Sequence, residues 1–104
     1  MQEDQEIHIK SICLEVIAER KQQDLKFGEQ NHCPKTWLMI LGEEVGEANK
    51  AVLEAGTFEK GRLVSLDPEK LKLGKGCYRE ELIQIAAVAV AMVECLDKNK
   101  WNQN

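Results

Sequence analysis

Apolar residues recur every three or four positions in three stretches of this chain, which is the spacing of one face of an α-helix. These stretches predict long helices over about residues 3–26, 35–55 and 78–98. Asp67-Pro68 is typical of an N-cap followed by a first-turn proline and predicts a short helix over 68–73. No stretch alternates apolar and polar residues as a half-buried strand does. The pattern therefore predicts an all-α fold, a bundle of three long helices plus a short one.

The first helix changes character along one face. Its apolar stripe is formed by Ile9, Cys13 and Val16, and the same stripe continues through Arg20, Gln23 and Phe27. A face that turns polar midway borders a wetter region than a core, or it simply emerges into solvent. The second interpretation is the more economical one for this helix alone.

The last long helix is apolar almost all round. Its run IAAVAVAMV, Ile85 to Val93, is too short to cross a bilayer, so it predicts a helix buried on every side. A chain of 104 residues has little else to cover such a helix. We therefore expect the core to be completed by oligomerisation, as a homodimer or homotetramer.

Composition places the chain as a single domain over residues 1–104, with a polar tail at 99–104. A net charge of −4 and a pI near 5.2 argue against binding to a nucleic acid polymer. The charged start MQEDQEIHIK is unlike a signal peptide, which predicts a cytoplasmic protein without a membrane segment. The four cysteines show no CxxC spacing, which disfavours a structural zinc site.

Candidate chemistry lies in two acidic clusters within the apolar helices. They are Glu43, Glu44 and Glu47 in LGEEVGEA, and Glu80 and Glu81 in YREELIQIAAV. Helical spacing places Glu44 with Glu47, and Glu81 with Gln84, on one face each, so that two facing helices converge on one cation. Oxygen ligands suit Mg²⁺ or Mn²⁺.

The alternative to a metal site is a pair of solvated helix faces. That interpretation is favoured for EExxE taken alone. A second acidic motif inside an Ala/Val core helix reverses the preference, because a buried carboxylate needs a counter-charge or a cation.

The two motifs resemble those of the MazG-like, all-α nucleoside triphosphate pyrophosphohydrolases, which carry EExxE on one helix and ExxD on the next. The first motif here is Glu43-Glu44-Val45-Gly46-Glu47, and the second is Glu81-Leu82-Ile83-Gln84. The resemblance covers about residues 15–97. FGEQNH, TWLMILGEEVGEANKA and REELIQIAAVAVAMVE are similar to short, single-domain members from phage and mobile elements.

This resemblance implies that Glu44, Glu47, Glu81 and Gln84 hold Mg²⁺, with Mn²⁺ as a possible substitute. Glu43 and Glu44 would be catalytic, with Glu43 completing the site or orienting the attacking water. The implied reaction cleaves a (d)NTP to a monophosphate and pyrophosphate, in the house-cleaning of nucleotide pools. Gln84 departs from the family's aspartate, which predicts weaker metal affinity or marks an inactive relative; the remaining four acids favour activity.

A nucleotide substrate also needs groups that hold its base and phosphates. By the same resemblance, the base contacts are Phe27, Gln30, Asn31, His32 and Trp37. Cations for the phosphates are Lys50 and Arg79, with Arg20 and Lys35 as further candidates. Core packing of the two aromatic residues, and salt bridges for each cation, are the structural alternatives.

Two other functions remain open at this stage. The first is a non-catalytic helical assembly module whose acids pair with Lys50 and Arg79. The second keeps the fold but hydrolyses a phosphoribosyl-nucleotide in amino-acid biosynthesis, and the FGEQNH-type turn ranks it lower. The connector over residues 56–76 is either a lid or a simple link.

Overall fold

The computed structural model describes residues 1–98, so the tail at 99–104 and its Trp101 lie outside the described residues. The elements are α1 (Glu3–Phe27), α2 (Pro34–Glu54), β1 (Gly56–Glu59), β2 (Arg62–Leu66), α3 (Pro68–Lys72) and α4 (Tyr78–Asp97). Each helix begins and ends within one residue of its predicted bounds. The fold is mostly helical, as predicted, with one small hairpin added.

Two helices begin at caps that fix their positions. At α3 the Glu69 N–H donates to Asp67 Oδ1 at 3.0 Å, which confirms the predicted N-cap. At α4 the Glu80 N–H donates to Cys77 Sγ at 3.5 Å, and the Gly76 N–H donates to Glu80 Oε1 at 3.2 Å. Glu80 therefore caps the start of α4, while its neighbour Glu81 is the acid that turns inward.

The core lies where α2 packs against α4 in the opposite direction. It consists of Trp37, Val88, Ala91 and Cys95, with Ile40, Leu41 and Met92 packed against it. Ala87 is fully buried, and α2 contributes the buried Ala48 and Ala51, so small side chains allow the two helices to approach closely. This packing brings the middle of α2 next to the first half of α4.

Helix α1 is attached to α4 by ion pairs, and none of its residues is buried. Arg79 donates to both carboxylate oxygens of Glu15, at 2.8 and 2.6 Å, and Arg20 Nε donates to Glu94 Oε1 at 3.0 Å. Ile9 and Cys13 are exposed. Val16 is half-buried beside α4, so the predicted inward stripe of α1 is only partly covered within a single chain.

A single chain consequently exposes more surface than a compact protein of its size. Its accessible surface is 7938 Å², about 2,000 Å² above the roughly 5,900 Å² expected for a folded monomer of this mass. Its radius of gyration is 16.3 Å, against about 13 Å for a compact domain of this length. None of the helices in the described part of the chain has both the length and the apolar character that a membrane crossing requires.

A two-stranded hairpin occupies much of the connector, where sequence analysis expected no strand. β1 pairs antiparallel with β2, with Phe58 opposite Leu63 and Glu59 opposite Arg62. Lys60 and Gly61 both have positive φ, 50° and 76°, as the tightest hairpin turn requires. The expectation was wrong because nearly every hairpin residue is exposed, so no alternation of apolar and polar positions marks the strands.

Gly56 lies close to two side chains of this hairpin, and Gly56→Ala is expected to destabilise the protein slightly. A Cβ at this position lies 2.7 Å from Leu63 Cδ1 and 3.1 Å from a ring atom of Phe58. Leu63 is 47 % exposed and its Cδ1 is the end of a flexible side chain, so it can move aside and the cost is at most about 1 kcal/mol of unfolding free energy. Gly42→Ala is the control. An added Cβ there meets nothing within 4 Å, and the substitution removes a glycine from a helix interior. Urea unfolding should show a loss for the first variant and a gain for the second, and equal effects would contradict the packing argument.

Candidate functional site

Acidic side chains from three helices come together beside the core. Among residues 1–98, Glu81 is the one charged side chain that is buried, with 5 % of its surface exposed. Glu44 of α2 is half-buried, and Glu19 of α1 is half-buried as well. Glu43 and Glu47 lie on the exposed flank of the same cluster.

The pKa shifts show that these carboxylates are within electrostatic reach of one another. Burial raises the pKa of Glu44, and the negative charges of Glu47, Glu19 and Glu43 raise it further. Burial likewise raises the pKa of Glu81, with added contributions from Glu47, Glu44 and Glu19. Both effects penalise the ionised form, so this site favours protons or another cation.

Gln84 lies between the two inward-facing acids. Both neighbours are acceptors, which assigns the amide nitrogen to their side; in that orientation it donates to Glu44 Oε2 and to Glu81 Oε2, each at 3.2 Å. The side chains predicted to share one ion, Glu44 on α2 with Glu81 and Gln84 on α4, are therefore neighbours in the fold. Glu47 belongs to the same cluster through its charge on both acids.

No basic side chain neutralises this cluster in the described part of the chain. The ion pairs join Lys10–Glu6, Arg20–Asp24, Arg20–Glu94, Lys50–Glu54 and Arg79–Glu15. Lys50 and Arg79, predicted to contact phosphates or the motif acids, are thus directed to carboxylates outside both motifs. The inward acids are left with one neutral partner, the Gln84 amide.

The donor set fits a hard divalent cation, although the chain does not preform a metal centre. Within residues 1–98, no three His, Cys, Asp or Glu side chains are grouped so that they hold a metal ion. The oxygen donors nevertheless match those that Mg²⁺ and Mn²⁺ prefer. A buried acid with like charges around it and no basic partner is the electrostatic condition that a cation relieves.

A polar cavity of about 400 Å³ lies toward the other end of the core, and none of the clustered acids lines it. It is lined by Arg20, Gln23, Asp24, Glu29, Gln30, Asn31, Trp37, Ala91, Glu94, Cys95 and Lys98. Each long helix contributes to both the cavity and the acidic cluster. On α2, Trp37 lies two turns before Glu44, and on α1, Gln23 lies one turn after Glu19. On α4, Ala91 lies two turns after Gln84. The acids and the cavity therefore lie along the same helix faces.

The predicted base contacts divide between this cavity and its surroundings. Gln30, Asn31 and Trp37 line the cavity. The His32 ring packs edge-on against Trp37, with centroids 5.0 Å apart, and borders a smaller apolar cavity of about 210 Å³. Phe27 is 57 % exposed and lines neither cavity, while the Lys26 Nζ lies 5.1 Å above its ring.

Glu19 was not predicted from the sequence as a site residue, and Gln23 was predicted only as part of the α1 stripe. The change from apolar to polar on α1 was the available signal, since both residues lie beyond it. That signal does not tell a solvated helix end from the wall of a site. The crossing of α1 over α4 decides between a solvated helix end and the wall of a site. The ion pairs of Glu15 with Arg79 and of Arg20 with Glu94 fix that crossing in part.

Comparison with known proteins identifies no relative: no family model matches the chain, and no curated protein or solved structure matches it either.

Proposed function

We propose that this protein is a Mg²⁺-dependent nucleoside triphosphate pyrophosphohydrolase of the MazG-like type. The observation that carries the proposal is a buried carboxylate, Glu81, beside Glu44 and within reach of Glu47, with no basic side chain of the described chain to neutralise them. Such a cluster is costly unless it binds a cation. The polar cavity one to two helical turns from these acids would supply room for the rest of a substrate.

Glu44, Glu47 and Glu81 would hold the ion, with Mn²⁺ as a substitute for Mg²⁺. A bound ion would supply charge neutralisation at the phosphates and would lower the pKa of a water molecule bound to it. Glu43 is exposed next to Glu44, where it accepts a proton from the attacking water or orients it. Attack at the α-phosphorus forms the new P–O bond and breaks the bond to the bridging oxygen, so a monophosphate and pyrophosphate leave.

The polar cavity would take the nucleoside. Its volume, about 400 Å³, lies in the range of small-molecule pockets. The amides of Gln30 and Asn31 present both donors and acceptors to the edge of a base, and Trp37 forms an apolar wall. Arg20 is held in place by Asp24 and Glu94, which fixes one charged group at the rim.

A second copy of the chain would cover the exposed apolar face. The groove between α1 and α4, about 620 Å³ in volume, is lined mainly by Ile12, Cys13, Val16, Ile17, Ala86 and Val90. The excess surface of a single chain, about 2,000 Å², matches what one subunit buries in an obligate dimer. We therefore propose a homo-oligomer built on this groove.

The test is hydrolysis of a panel of NTPs and dNTPs by the wild type and two matched variants. Glu44→Gln removes a proposed ligand, and Glu54→Gln removes an exposed acid on the same helix, whose contact is the 4.0 Å pair with Lys50. We expect Mg²⁺-dependent release of pyrophosphate from the wild type and Glu54→Gln, and at least a 100-fold loss in Glu44→Gln. Equal rates in both variants, or turnover that survives EDTA, would contradict the assignment.

A non-catalytic assembly module predicts a different pattern of contacts. It requires the motif acids to pair with Lys50 and Arg79, whereas these cations contact Glu54 and Glu15. No ion pair of residues 1–98 supports that module, so we retain the enzyme as the one proposal.

A further inference from the structure

The position of Gln84 gives it a role different from that of a metal ligand. Its terminal amide lies 3.2 Å from Glu44 Oε2 on α2 and 3.2 Å from Glu81 Oε2 on its own helix. Both neighbours are hydrogen-bond acceptors. If the amide oxygen faced these carboxylates, no hydrogen bond could form, because all three groups are acceptors. The amide nitrogen has two N–H groups, one for each carboxylate.

Hydrogen bonds to charged groups are stronger than those between neutral groups. The two bonds from Gln84 therefore connect acids that otherwise repel each other across the interface of α2 and α4. They also bring no charge of their own, so the cluster keeps its need for a cation. The same amide group cannot direct its oxygen to an ion between the acids while its nitrogen bonds to both.

We propose that Gln84 is a positioning residue that holds the carboxylates of Glu44 and Glu81 together before the cation binds, and that it does not ligate the ion. This inference rests on the proposed function, because the cation is the one assigned to that site. It changes the expected ligand set: the ion is bound by the carboxylates of Glu44, Glu47 and Glu81, and Gln84 acts through two of them.

Two substitutions separate a positioning role from ligation. Gln84→Leu keeps the approximate size of the side chain but removes both the donors and the oxygen. Gln84→Glu keeps the shape, removes the donors and adds a negative charge. Gln22→Leu is the control, because Gln22 is an exposed glutamine on α1 outside the site.

The experiment measures the melting temperature of the EDTA-treated protein and the Mg²⁺ dissociation constant by titration calorimetry. For Gln84→Leu we expect the melting temperature of the metal-free protein to fall by about 5–10 °C, and the Mg²⁺ dissociation constant to stay within about threefold of wild type. For Gln84→Glu we expect a larger fall without metal, recovery with Mg²⁺, and binding about tenfold tighter. Gln22→Leu should match the wild type in both measurements.

A tenfold or greater loss of Mg²⁺ affinity in Gln84→Leu, with an unchanged metal-free melting temperature, would show that Gln84 is a ligand and overturn the inference. If Gln84→Leu is too unstable to titrate, Gln84→Met, which also lacks the donors and the oxygen, is titrated in its place, and the same loss of Mg²⁺ affinity would overturn the inference. Failure of the proposed function looks different. The wild type would then bind no Mg²⁺ and cleave no nucleotide, while the metal-free melting temperatures would still follow the hydrogen bonds.

Discussion

Glu81→Gln is expected to stabilise the metal-free protein at neutral pH and to abolish Mg²⁺-dependent hydrolysis. The substitution removes a buried negative charge that faces Glu44 and Glu47 without a basic partner, and it keeps an oxygen to accept from Gln84. Relief of such a buried charge is worth about 1–3 kcal/mol of unfolding free energy. Loss of a ligand costs several kcal/mol of transition-state stabilisation, a decrease of at least about 100-fold in rate.

The stabilising effect of Glu81→Gln should depend on pH. Burial and like charges raise the pKa of Glu81 above its ordinary value of 4.5, so the folded state holds its proton more tightly than the unfolded state. Stability from this group is complete below pH 4.5 and is lost as the pH rises through the folded-state pKa. Urea unfolding in EDTA should therefore give nearly equal free energies for wild type and variant at low pH, and a more stable variant at pH 7. A less stable variant at pH 7 would contradict the account.

Ile17→Glu is expected to dissociate the proposed homo-oligomer. Ile17 is 50 % exposed in the groove between α1 and α4, where a charge would face the apolar surface of the second copy. A central interface residue typically contributes about 2 kcal/mol or more, so we expect subunit affinity to fall roughly 30-fold or more.

The control for this variant is Ile7→Glu. Ile7 lies on the same helix with 58 % of its surface exposed, and it is outside the groove. Sedimentation velocity over a range of concentrations should show a shift toward monomer for Ile17→Glu alone. Equal shifts in both variants would place the interface elsewhere on α1, and a wild type that is monomeric at all concentrations would rule out the second copy.

The helices of this fold were predictable because their signals are local. Apolar spacing, the Asp67-Pro68 cap and the glycine-containing connectors each act within a few residues, and the helix bounds agree within one residue. The hairpin carries no comparable local pattern, since its apolar side chains are exposed on both strands and its turn uses Lys60-Gly61 in place of a more typical pair. Its register pairs Phe58 with Leu63 and is shifted between Thr57 and Phe58, which periodicity does not report.

The site was predictable only as far as helix faces determine it. The spacing of Glu44, Glu81 and Gln84 along two helices places them at one interface, and the structure shows these three in contact. Glu19 and the cavity wall at Gln23 depend on how α1 crosses α4, which is a tertiary property. The partners of the arginine and lysine side chains were the least predictable contacts. Arg79 pairs with Glu15, far from it in sequence, because a long flexible side chain can pair with any of several nearby acids.

The most direct test of the central claim is the fate of the oxygen atom of the attacking water. Purified protein is incubated with a nucleoside triphosphate and Mg²⁺ in water enriched in the heavy isotope ¹⁸O, and the products are separated and weighed by mass spectrometry. We expect turnover to require Mg²⁺ and one labelled oxygen to appear in the monophosphate, with unlabelled pyrophosphate. Label in pyrophosphate, release of diphosphate and phosphate, or no turnover of any nucleotide would contradict the claim.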